Sequence, residues 1–317
     1  MGPKQLRVVA LAGGVGGAKL ALGLLRALPV ADLSVVGNTG DDETFFGLHV
    51  SPDLDTLMYT LAGLADPERG WGLAEESFRA LDMLGHYGES TWFNLGDRDL
   101  ATHIMRTQLL RDGWSLTRTT EHLARRLGVE CTLAPMSDDP VRTVVETDEG
   151  VLPFQTYFVG RKCEPRTIAV RFEGADEARM SPVFAEALER AEAVIFCPSN
   201  PILSIGPILA VPGVAEAIRG FNGARVAVSP IVGSQALRGP AAKMMQELGE
   251  DVSPVGIAKR LAGLCDLLVI DNLDAELADD VRNTGMEAFV TNTVMETDGD
   301  KQRLAEEICD SIEQGSP

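Results

Sequence analysis

Two apolar patterns alternate at the start of the chain. Residues 6–12 form a continuous apolar run that ends in glycines, and residues 33–36 form a second run of this kind. Between them, residues 19–28 carry apolar side chains at helical spacing and stop before Pro29. Continuous runs are typical of strands that are buried in a parallel sheet. The order strand, glycine loop, helix, strand predicts a right-handed βαβ unit with its loop at the carboxyl edge of the sheet.

The period of the apolar positions changes twice further along the chain. Four segments have the spacing of amphipathic helices, at 54–65, 75–84, 100–113 and 117–128. Four segments then show a period of two, which predicts short antiparallel strands, at 131–135, 142–147, 152–159 and 166–174. Buried-strand runs return with helical stretches between them, at 193–199, 224–230, 267–271 and 288–292.

These patterns predict an α/β protein: a Rossmann-like parallel sheet with helices on both faces, plus an inserted helical and antiparallel β lobe. Both ends of the chain build the sheet. Residues 1–60 and 175–317 are predicted to form the core that binds a nucleotide or diphosphate, and residues 61–174 the inserted lobe. Ligands of open α/β sheets bind beyond the carboxyl ends of the strands, where candidate residues are therefore expected.

The charge balance narrows the classes of partner. The chain has 317 residues with 28 basic and 47 acidic side chains, a net charge of −19. A field of that sign repels nucleic acid, so small-molecule substrates are expected instead. An anionic ligand must then be held by helix N-termini, backbone N–H groups, a few cations or a bound metal.

Other features of the composition indicate a cytoplasmic location without membrane contact. No apolar run approaches the roughly 18 residues of a membrane span. The opening apolar run leads into glycines and not into a signal-peptide cleavage site. The five cysteines are far apart and never spaced C-x-x-C, which predicts neither a disulfide framework nor a zinc site.

A glycine loop follows the first predicted strand. Gly13, Gly14, Gly16 and Gly17 precede Lys19 at the start of the predicted helix. Glycines let backbone N–H groups approach an anion, and the helix N-terminus adds partial positive charge. The spacing matches neither G-x-G-x-x-G nor a Walker A loop. We interpret the loop as a phosphate-binding site that Lys19 can reach; the alternative is a tight turn with an exposed lysine.

A group of acidic residues follows the second predicted strand. Asp41, Asp42 and Glu43 come next in the chain, and Asp53 and Asp55 open the next helix. Carboxylates beside a phosphate repel it unless a cation lies between them, and Mg²⁺ binds both groups. We predict Asp41 and Asp55 as catalytic residues and metal ligands, and Asp53 as the N-cap of its own helix. The alternative is that these are solvated loop carboxylates.

Polar residues also precede the third predicted helix. Asn94 and Asp97 could bind a substrate or the waters of a metal. The alternative is a helix cap with a salt-bridge network over residues 97–99. We interpret His103, a lone histidine in a helix, as structural or exposed.

Three later loops combine small polar residues with proline. Asn200 and Ser229 each follow a predicted parallel strand, and Arg238 lies in a polar turn a little further on. Asn200 and Ser229 are candidates to contact a base or a phosphate. Turn formation alone is the alternative, because serine, asparagine and proline favour turns.

Taken together, these motifs are similar to a known family. The resemblance to the 2-phospho-L-lactate transferases of coenzyme F420 biosynthesis covers essentially the whole chain and rests on GGVGGAKL, NTGDD, SPDLDT, RGWG, LGDRDLATH, MSDDPV, PSNPILSIGPIL and SPIVG. The resemblance implies an Mg²⁺-dependent transferase, of the 2.7.8 class, that forms a homodimer. Such an enzyme joins a guanylylated phospho-acid to the deazaflavin Fo and releases GMP.

The resemblance also implies roles for individual residues. Asp55 contacts Fo or the metal beside it, and Asn94 lies where the family places another Fo contact, often a lysine. Asp97 belongs to the same motif. Asp41 is the other acidic candidate for Mg²⁺. The glycine loop, with the loops that carry Asn200 and Ser229, would hold the guanine nucleotide.

In this chemistry the ribityl hydroxyl of Fo attacks the phosphorus that bears the three-carbon acid. Such a transfer needs positioning and charge neutralisation more than a protein nucleophile. Asp41 or Asp55 could take the proton, or a metal could make a dedicated base unnecessary. The acid itself stays open between 2-phospho-L-lactate, phosphoenolpyruvate and phosphoglycerate.

Two other classes of function fit parts of the sequence. A non-catalytic regulator that binds a nucleotide or sugar nucleotide could share the glycine loop and the fold, but it would not need SPDLDT paired with LGDRDLATH. An NAD(P)-dependent oxidoreductase is disfavoured by the interrupted G-x-G-x-x-G. It is also disfavoured by Asn38, which stands where a ribose-binding acid would follow the second strand.

Overall fold

The apolar runs of the sequence form a central parallel sheet. The computed structural model describes residues 6–233, 235, 236 and 239–315. The strands are β1 (Val8–Ala12), β2 (Leu33–Gly37), β3 (Glu43–Phe45), β4 (Leu48–Val50), β5 (Thr132–Pro135), β6 (Arg142–Thr147), β7 (Gly150–Pro153), β8 (Thr167–Glu173), β9 (Ala193–Phe196), β10 (Ala224–Val228), β11 (Ile231–Val232), β12 (Gln235–Ala236), β13 (Leu267–Asp271) and β14 (Glu287–Thr291).

Twelve α-helices lie between or after these strands in the described part of the chain. They are α1 (Gly14–Ala27), α2 (Pro52–Leu61), α3 (Arg79–His86), α4 (Asp97–Arg111), α5 (Leu116–Arg126), α6 (Pro182–Arg190), α7 (Ile205–Ala210), α8 (Val214–Arg219), α9 (Ala241–Glu247), α10 (Pro254–Arg260), α11 (Ala278–Arg282) and α12 (Asp298–Glu313). Within the described residues, none of them combines the length and apolar character that a bilayer crossing requires.

The sheet has seven strands in the order β14-β13-β10-β9-β1-β2-β5, and all of its pairs are parallel. The predicted βαβ unit is confirmed as β1, α1 and β2. The chain leaves β1 toward β2 and β5 on one side and returns to β9 on the other. Loops that follow β1 and β9 therefore meet at the carboxyl edge, at the point where the strand order reverses.

One predicted strand lies in a different sheet from the one expected. The segment 131–135 was expected to be antiparallel and part of the lobe, but β5 pairs in parallel with β2 at the end of the main sheet. A four-residue apolar segment has no period that reveals its partner. The insertion predicted for 61–174 therefore contributes a strand to the sheet.

The sheet is buried on both faces, as predicted. Val9 and Leu11 of β1 pack into one apolar core, which also contains Phe184 of α6. Val8 and Ala10 point to the opposite face, into a core shared with α1 and α12. A parallel strand that is covered on both sides needs the continuous apolar run seen in the sequence.

The antiparallel strands predicted at 142–147 and 166–174 are confirmed as β6 and β8, but the strand predicted at 152–159 is wrong beyond Pro153, because residues 154–160 are helical. One hairpin before the lobe was not predicted. Strands β7, β6 and β8 form a three-stranded antiparallel sheet. The missed hairpin joins β3 to β4 through Phe46 and Gly47, which both have positive φ. This hairpin follows the acidic residues at the end of β2 and extends from the carboxyl edge of the sheet.

Glycines allow the β1–α1 turn to pack directly on the loop after β9. A Cβ atom on Gly16 would overlap the carbonyl oxygen of Pro198, and one on Gly17 would overlap Oγ of Ser199. A Cβ on Gly13 would likewise overlap the carboxylate of Asp53. At these positions the absence of a side chain serves packing within the protein.

We expect Gly16→Ala to destabilise the fold because its new methyl group must displace the backbone of Pro198. Overpacking of this kind costs about 1–3 kcal/mol, and thermal unfolding followed by circular dichroism measures it. Gly85→Ala is the matched control. A Cβ atom there meets only Cγ2 of Thr91, at 3.5 Å, and alanine favours the helix. Equal melting temperatures for the two variants would contradict the packing argument.

Candidate active site

The N-terminus of α1 is bonded to a carboxylate of the protein itself. Gly14 adopts a positive φ of 61°, and its N–H donates to Oδ1 of Asp53 at 2.6 Å. The N–H of Gly13 donates to Oγ of Ser199 at 3.0 Å. Asp53 was expected to cap its own helix; it lies in the first turn of α2 but caps α1 instead. The anion-binding turn predicted from the glycines thus already binds an anion.

Three other residues predicted to contact the nucleotide make hydrogen bonds within the protein. Nζ of Lys19 donates to the carbonyl of Met295 at 2.6 Å. Oδ1 of Asn200 accepts from the N–H of Ile202 at 2.9 Å, and Oγ of Ser229 bonds within its own turn. These are the turn contacts that were the alternative interpretation for Asn200 and Ser229. Their contact with a nucleotide stays a prediction, and Arg238 lies outside the described residues.

Four aspartates and an asparagine gather beyond the end of β2. Nδ2 of Asn38 donates to Oδ2 of Asp53 at 2.9 Å and lies 3.4 Å from Oδ1 of Asp41. Asp41 is only 4% exposed, and Asp42 accepts hydrogen bonds from two neighbouring side chains at its Oδ2 atom. Asp55 is buried close enough for its charge to act on Asp41. We call Asp41, Asp42, Asp53 and Asp55 the acidic cluster.

Burial and mutual repulsion disfavour charge on three members of this cluster. Burial raises the pKa of Asp41 well above its ordinary value, and the charges of Asp53 and Asp42 raise it further. Burial also raises the pKa of Asp53 to about 6, against hydrogen bonds from Asn38 and Gly14 that lower it. The pKa of Asp42 is raised by burial as well. Such a cluster favours a cation or a proton between its members.

The fourth member is paired with a buried guanidinium. Both oxygens of Asp55 accept from Arg106 of α4, with Nη1 3.0 Å from Oδ2. His103 lies behind this pair, with Nδ1 3.7 Å from Oδ2 of Asp55 and Nε2 3.2 Å from Oδ2 of Asp99. Tyr59 donates to Oδ1 of Asp99 at 2.5 Å. His103 is therefore fully buried in the site and is not an exposed residue.

Two sets of side chains can be compared as cation sites. Asp55, Asp99 and His103 offer ligand atoms within 4.8 Å of one another, but Arg106 and Tyr59 already bond to the two carboxylates. A cation there would also lie beside the guanidinium.

Asp41 and Asp42 instead line a cavity of about 150 Å³ together with Thr143. Oδ1 of Asp42 and Oγ1 of Thr143 are buried without a hydrogen-bond partner. Unsatisfied hard oxygen atoms beside carboxylates fit a divalent cation such as Mg²⁺.

Asn94 and Asp97, predicted together, differ in their surroundings. Asn94 is exposed, whereas the carboxylate of Asp97 accepts from the hydroxyl of Ser77 and the N–H of Ala80. These hydrogen bonds, the one from Ser77 first, lower the pKa of Asp97. They cap α3, so Asp97 stabilises a neighbouring helix. This agrees with the cap in our alternative interpretation, although the capped helix is α3.

Aromatic side chains border Asn94. The ring of Phe93 stacks on that of Phe45 with centroids 4.0 Å apart, and Trp92 lies edge-on to Phe45 at 5.6 Å. Phe45 belongs to β3, which begins directly after Asp42. This group was not identified from the sequence, because its members lie far apart in the chain. It provides a partly exposed aromatic surface next to the strand that begins directly after Asp42.

Comparison with known proteins now identifies the family. The model of the family described as 2-phospho-L-lactate transferase CofD matches residues 8–314. The chain belongs to the CofD family. It is 44% identical over 287 residues to a protein of Streptomyces griseus named phosphoenolpyruvate transferase, covering 89% of this chain and 90% of that one. It is 39% identical over 305 residues to a 2-phospho-L-lactate transferase of Methanosarcina mazei, covering 96% of this chain and 100% of that one.

A solved structure supports the fold of this CofD protein. A member of the UPF0052 family from Bacillus halodurans superposes with a TM-score of 0.62 over 97% of this chain and 100% of that one. The sequences are 15% identical, so this likeness concerns the fold alone. The predicted family and α/β fold class are thus both confirmed.

We expect the protein, kept in EDTA, to become more stable as the pH falls from about 7.5 to about 5. The folded state binds a proton at Asp53 below about pH 6, whereas the ordinary pKa of an aspartate is 3.8. The unfolded chain therefore binds fewer protons in this window, and unfolding becomes less favourable on acidification. Melting temperatures across this pH range measure the effect, and Asp53→Asn should reduce the slope. A melting temperature that falls throughout the range would contradict it.

Proposed function

We propose that this protein transfers a phosphorylated three-carbon acid from its guanosine diphosphate-linked donor to the ribityl hydroxyl of Fo. GMP is released, and the product is F420-0 or a dehydro or glyceryl analogue. Membership of the CofD family and the names of the relatives support this proposal. The observation that carries it is the acidic cluster, which gathers more carboxylates than Arg106 can neutralise.

The proposed cation site differs in part from the one expected. Asp41 and Asp42 would hold Mg²⁺ in the cavity that they share with Thr143. Asp55 was the second expected ligand, but Arg106 engages both of its oxygens. When bound, the ion would neutralise the charge of the donor diphosphate, which the cluster alone would repel.

The chain's own residues position the two substrates. The hydroxyl oxygen of Fo forms a bond to the phosphorus that bears the acid, and the bond from that phosphorus to the bridging oxygen of GMP breaks. The hydroxyl proton passes to water or to the departing GMP phosphate. Asp55, paired with Arg106, orients the attacking hydroxyl by accepting its hydrogen bond. Positioning of this kind can supply much of the rate enhancement in phosphoryl transfer.

The binding surfaces are assigned to different loops. We propose that the deazaflavin ring packs near Phe93 and Asn94, because a flat heterocycle stacks well on aromatic rings. The nucleotide is proposed to contact the β1–α1 turn and the loops with Asn200 and Ser229. The enzyme is further proposed to act as a homodimer in the cytoplasm.

The function is tested by incubating the purified protein with Fo, Mg²⁺ and each of the three guanylylated acids in turn. We expect GMP and a deazaflavin product whose mass identifies the transferred acid, detected by liquid chromatography with mass spectrometry. Omission of Fo is the control, since release of GMP without Fo would indicate hydrolysis. The absence of product with all three donors would contradict the proposal.

We expect Asp41→Asn to reduce turnover at least 100-fold, because one charged ligand is lost from the proposed ion site. Chelation with EDTA should abolish turnover in the unaltered protein, and added Mg²⁺ or Mn²⁺ should restore it. Asp279→Asn is the matched control, since its side chain is 90% exposed on α11. Turnover by Asp41→Asn at the unaltered rate, or indifference to EDTA, would remove the ion from the mechanism.

A further inference from the structure

One buried cation lies beside the acidic cluster. Arg106 is 1% exposed, and among the described residues it is the one lysine or arginine in the buried class. Burial would lower the pKa of Arg106, but the charge and hydrogen bonds of Asp55, together with the charges of Tyr59 and Asp42, outweigh this and raise it. The charges of Asp55 and Asp42 both act on Arg106, and Arg106 makes its bidentate contact with Asp55 alone.

Stabilisation of the fold does not explain why Arg106 and Asp55 form a buried ion pair. Taking two charges out of water costs several kcal/mol, and apolar pairs of similar size often replace buried ion pairs without loss of stability. Arg106 also reaches Asp55 from a helix of the lobe, across a separation of 51 residues. The guanidinium therefore fixes one member of the cluster from outside the sheet.

The hydrogen bonding of Asp55 also differs from that of Asp42 in the proposed ion site. Arg106 occupies both oxygens of Asp55, whereas Oδ1 of Asp42 is buried without a partner. His103 and Asp99 pack behind the pair, and Nη1 of Arg106 lies 3.3 Å from Nδ1 of His103. This second layer restricts the guanidinium to one place. A cation that coordinated Asp55 directly would have to displace it.

We propose that Arg106 is a positioning residue that reserves Asp55 for the acceptor hydroxyl and withholds it from the coordination of the divalent cation. This inference rests on the proposed function and extends it to the division of labour within the acidic cluster. Without Arg106, Asp55 becomes a free carboxylate beside Asp41 and Asp42. The ion then binds more tightly, but the acceptor loses its fixed partner.

The test measures cation binding and catalysis separately in Arg106→Met. We expect Mn²⁺, followed by its electron paramagnetic resonance signal, to bind about tenfold more tightly than in the unaltered protein, because Asp55 is released to coordinate the ion as a further carboxylate ligand. We also expect kcat to fall and the KM for Fo to rise. A merely structural role would lower the melting temperature without tightening the binding of Mn²⁺.

A second variant isolates the role of Asp55. In the double variant Asp55→Asn, Arg106→Met, the gain in Mn²⁺ affinity should disappear, because the carboxylate that Arg106 released is no longer present. The double variant also leaves no unpaired buried charge, so it should fold even where Arg106→Met does not. If Arg106→Met does not fold, Arg106→Lys replaces it in the test. Lysine keeps the charge but cannot contact both oxygens of Asp55, so this variant should have a higher KM for Fo and bind Mn²⁺ more tightly than the unaltered protein.

Arg225→Met is the matched control. Arg225 makes the same two-pronged contact, with Asp266, at the start of β10 on the amino edge of the sheet. The Arg225→Met variant should be less stable than the unaltered protein but have the same Mn²⁺ affinity and the same KM for Fo. Unchanged or weaker Mn²⁺ binding in folded Arg106→Met, or a gain that persists in the double variant, would overturn the inference. Mn²⁺ binding is read without turnover, so a failure of the proposed reaction itself appears separately, as absence of product from the unaltered protein.

Discussion

Burial of like charges at one edge of the sheet is the constraint that organises this protein. The carboxylates of the acidic cluster are withdrawn from water beyond the carboxyl end of β2, and each must find a compensating group. Asp53 finds it at the first amide of α1 and in Asn38, and Asp55 finds it in Arg106. Asp41 has the least compensation, since its carboxylate lies 3.4 Å from Nδ2 of Asn38, and one oxygen of Asp42 has no partner. The chemistry proposed for the site follows from that imbalance.

The sequence was informative where a local pattern determines the structure. The apolar runs predicted the strands of the parallel sheet, and helical spacing predicted the helices of the lobe, because burial on one or two faces leaves a direct periodic trace. The pairing of β5 left no such trace. Nor did the β3–β4 hairpin, which depends on positive φ at Phe46, a residue type that rarely adopts it.

The sequence predicted which acidic residues lie in the candidate site, but not the groups to which they are hydrogen-bonded. The positions of Asp41 and Asp55 near one another followed from the parallel βαβ unit. The contacts of Arg106 could not, because its spacing in α4 resembles that of any surface arginine. The glycines show the same limit: they fit both an anion and the backbone of Pro198, and only the structure distinguishes the two. Asp53 likewise fits the cap of either helix by its sequence position, and only the structure shows that it caps α1 and not α2.

The carboxylate of Asp53 at the start of α1 has a consequence for selectivity among anions. A free phosphate that approaches this turn must compete with the Asp53 carboxylate, which is part of the same chain and therefore has a high effective concentration there. A phosphate that binds together with a divalent ion brings a positive charge that can attract the Asp53 carboxylate away from the amide of Gly14. Any anion that binds at this turn must therefore displace Asp53 from the amide of Gly14, so the turn would favour a ligand that also brings a positive charge for that carboxylate.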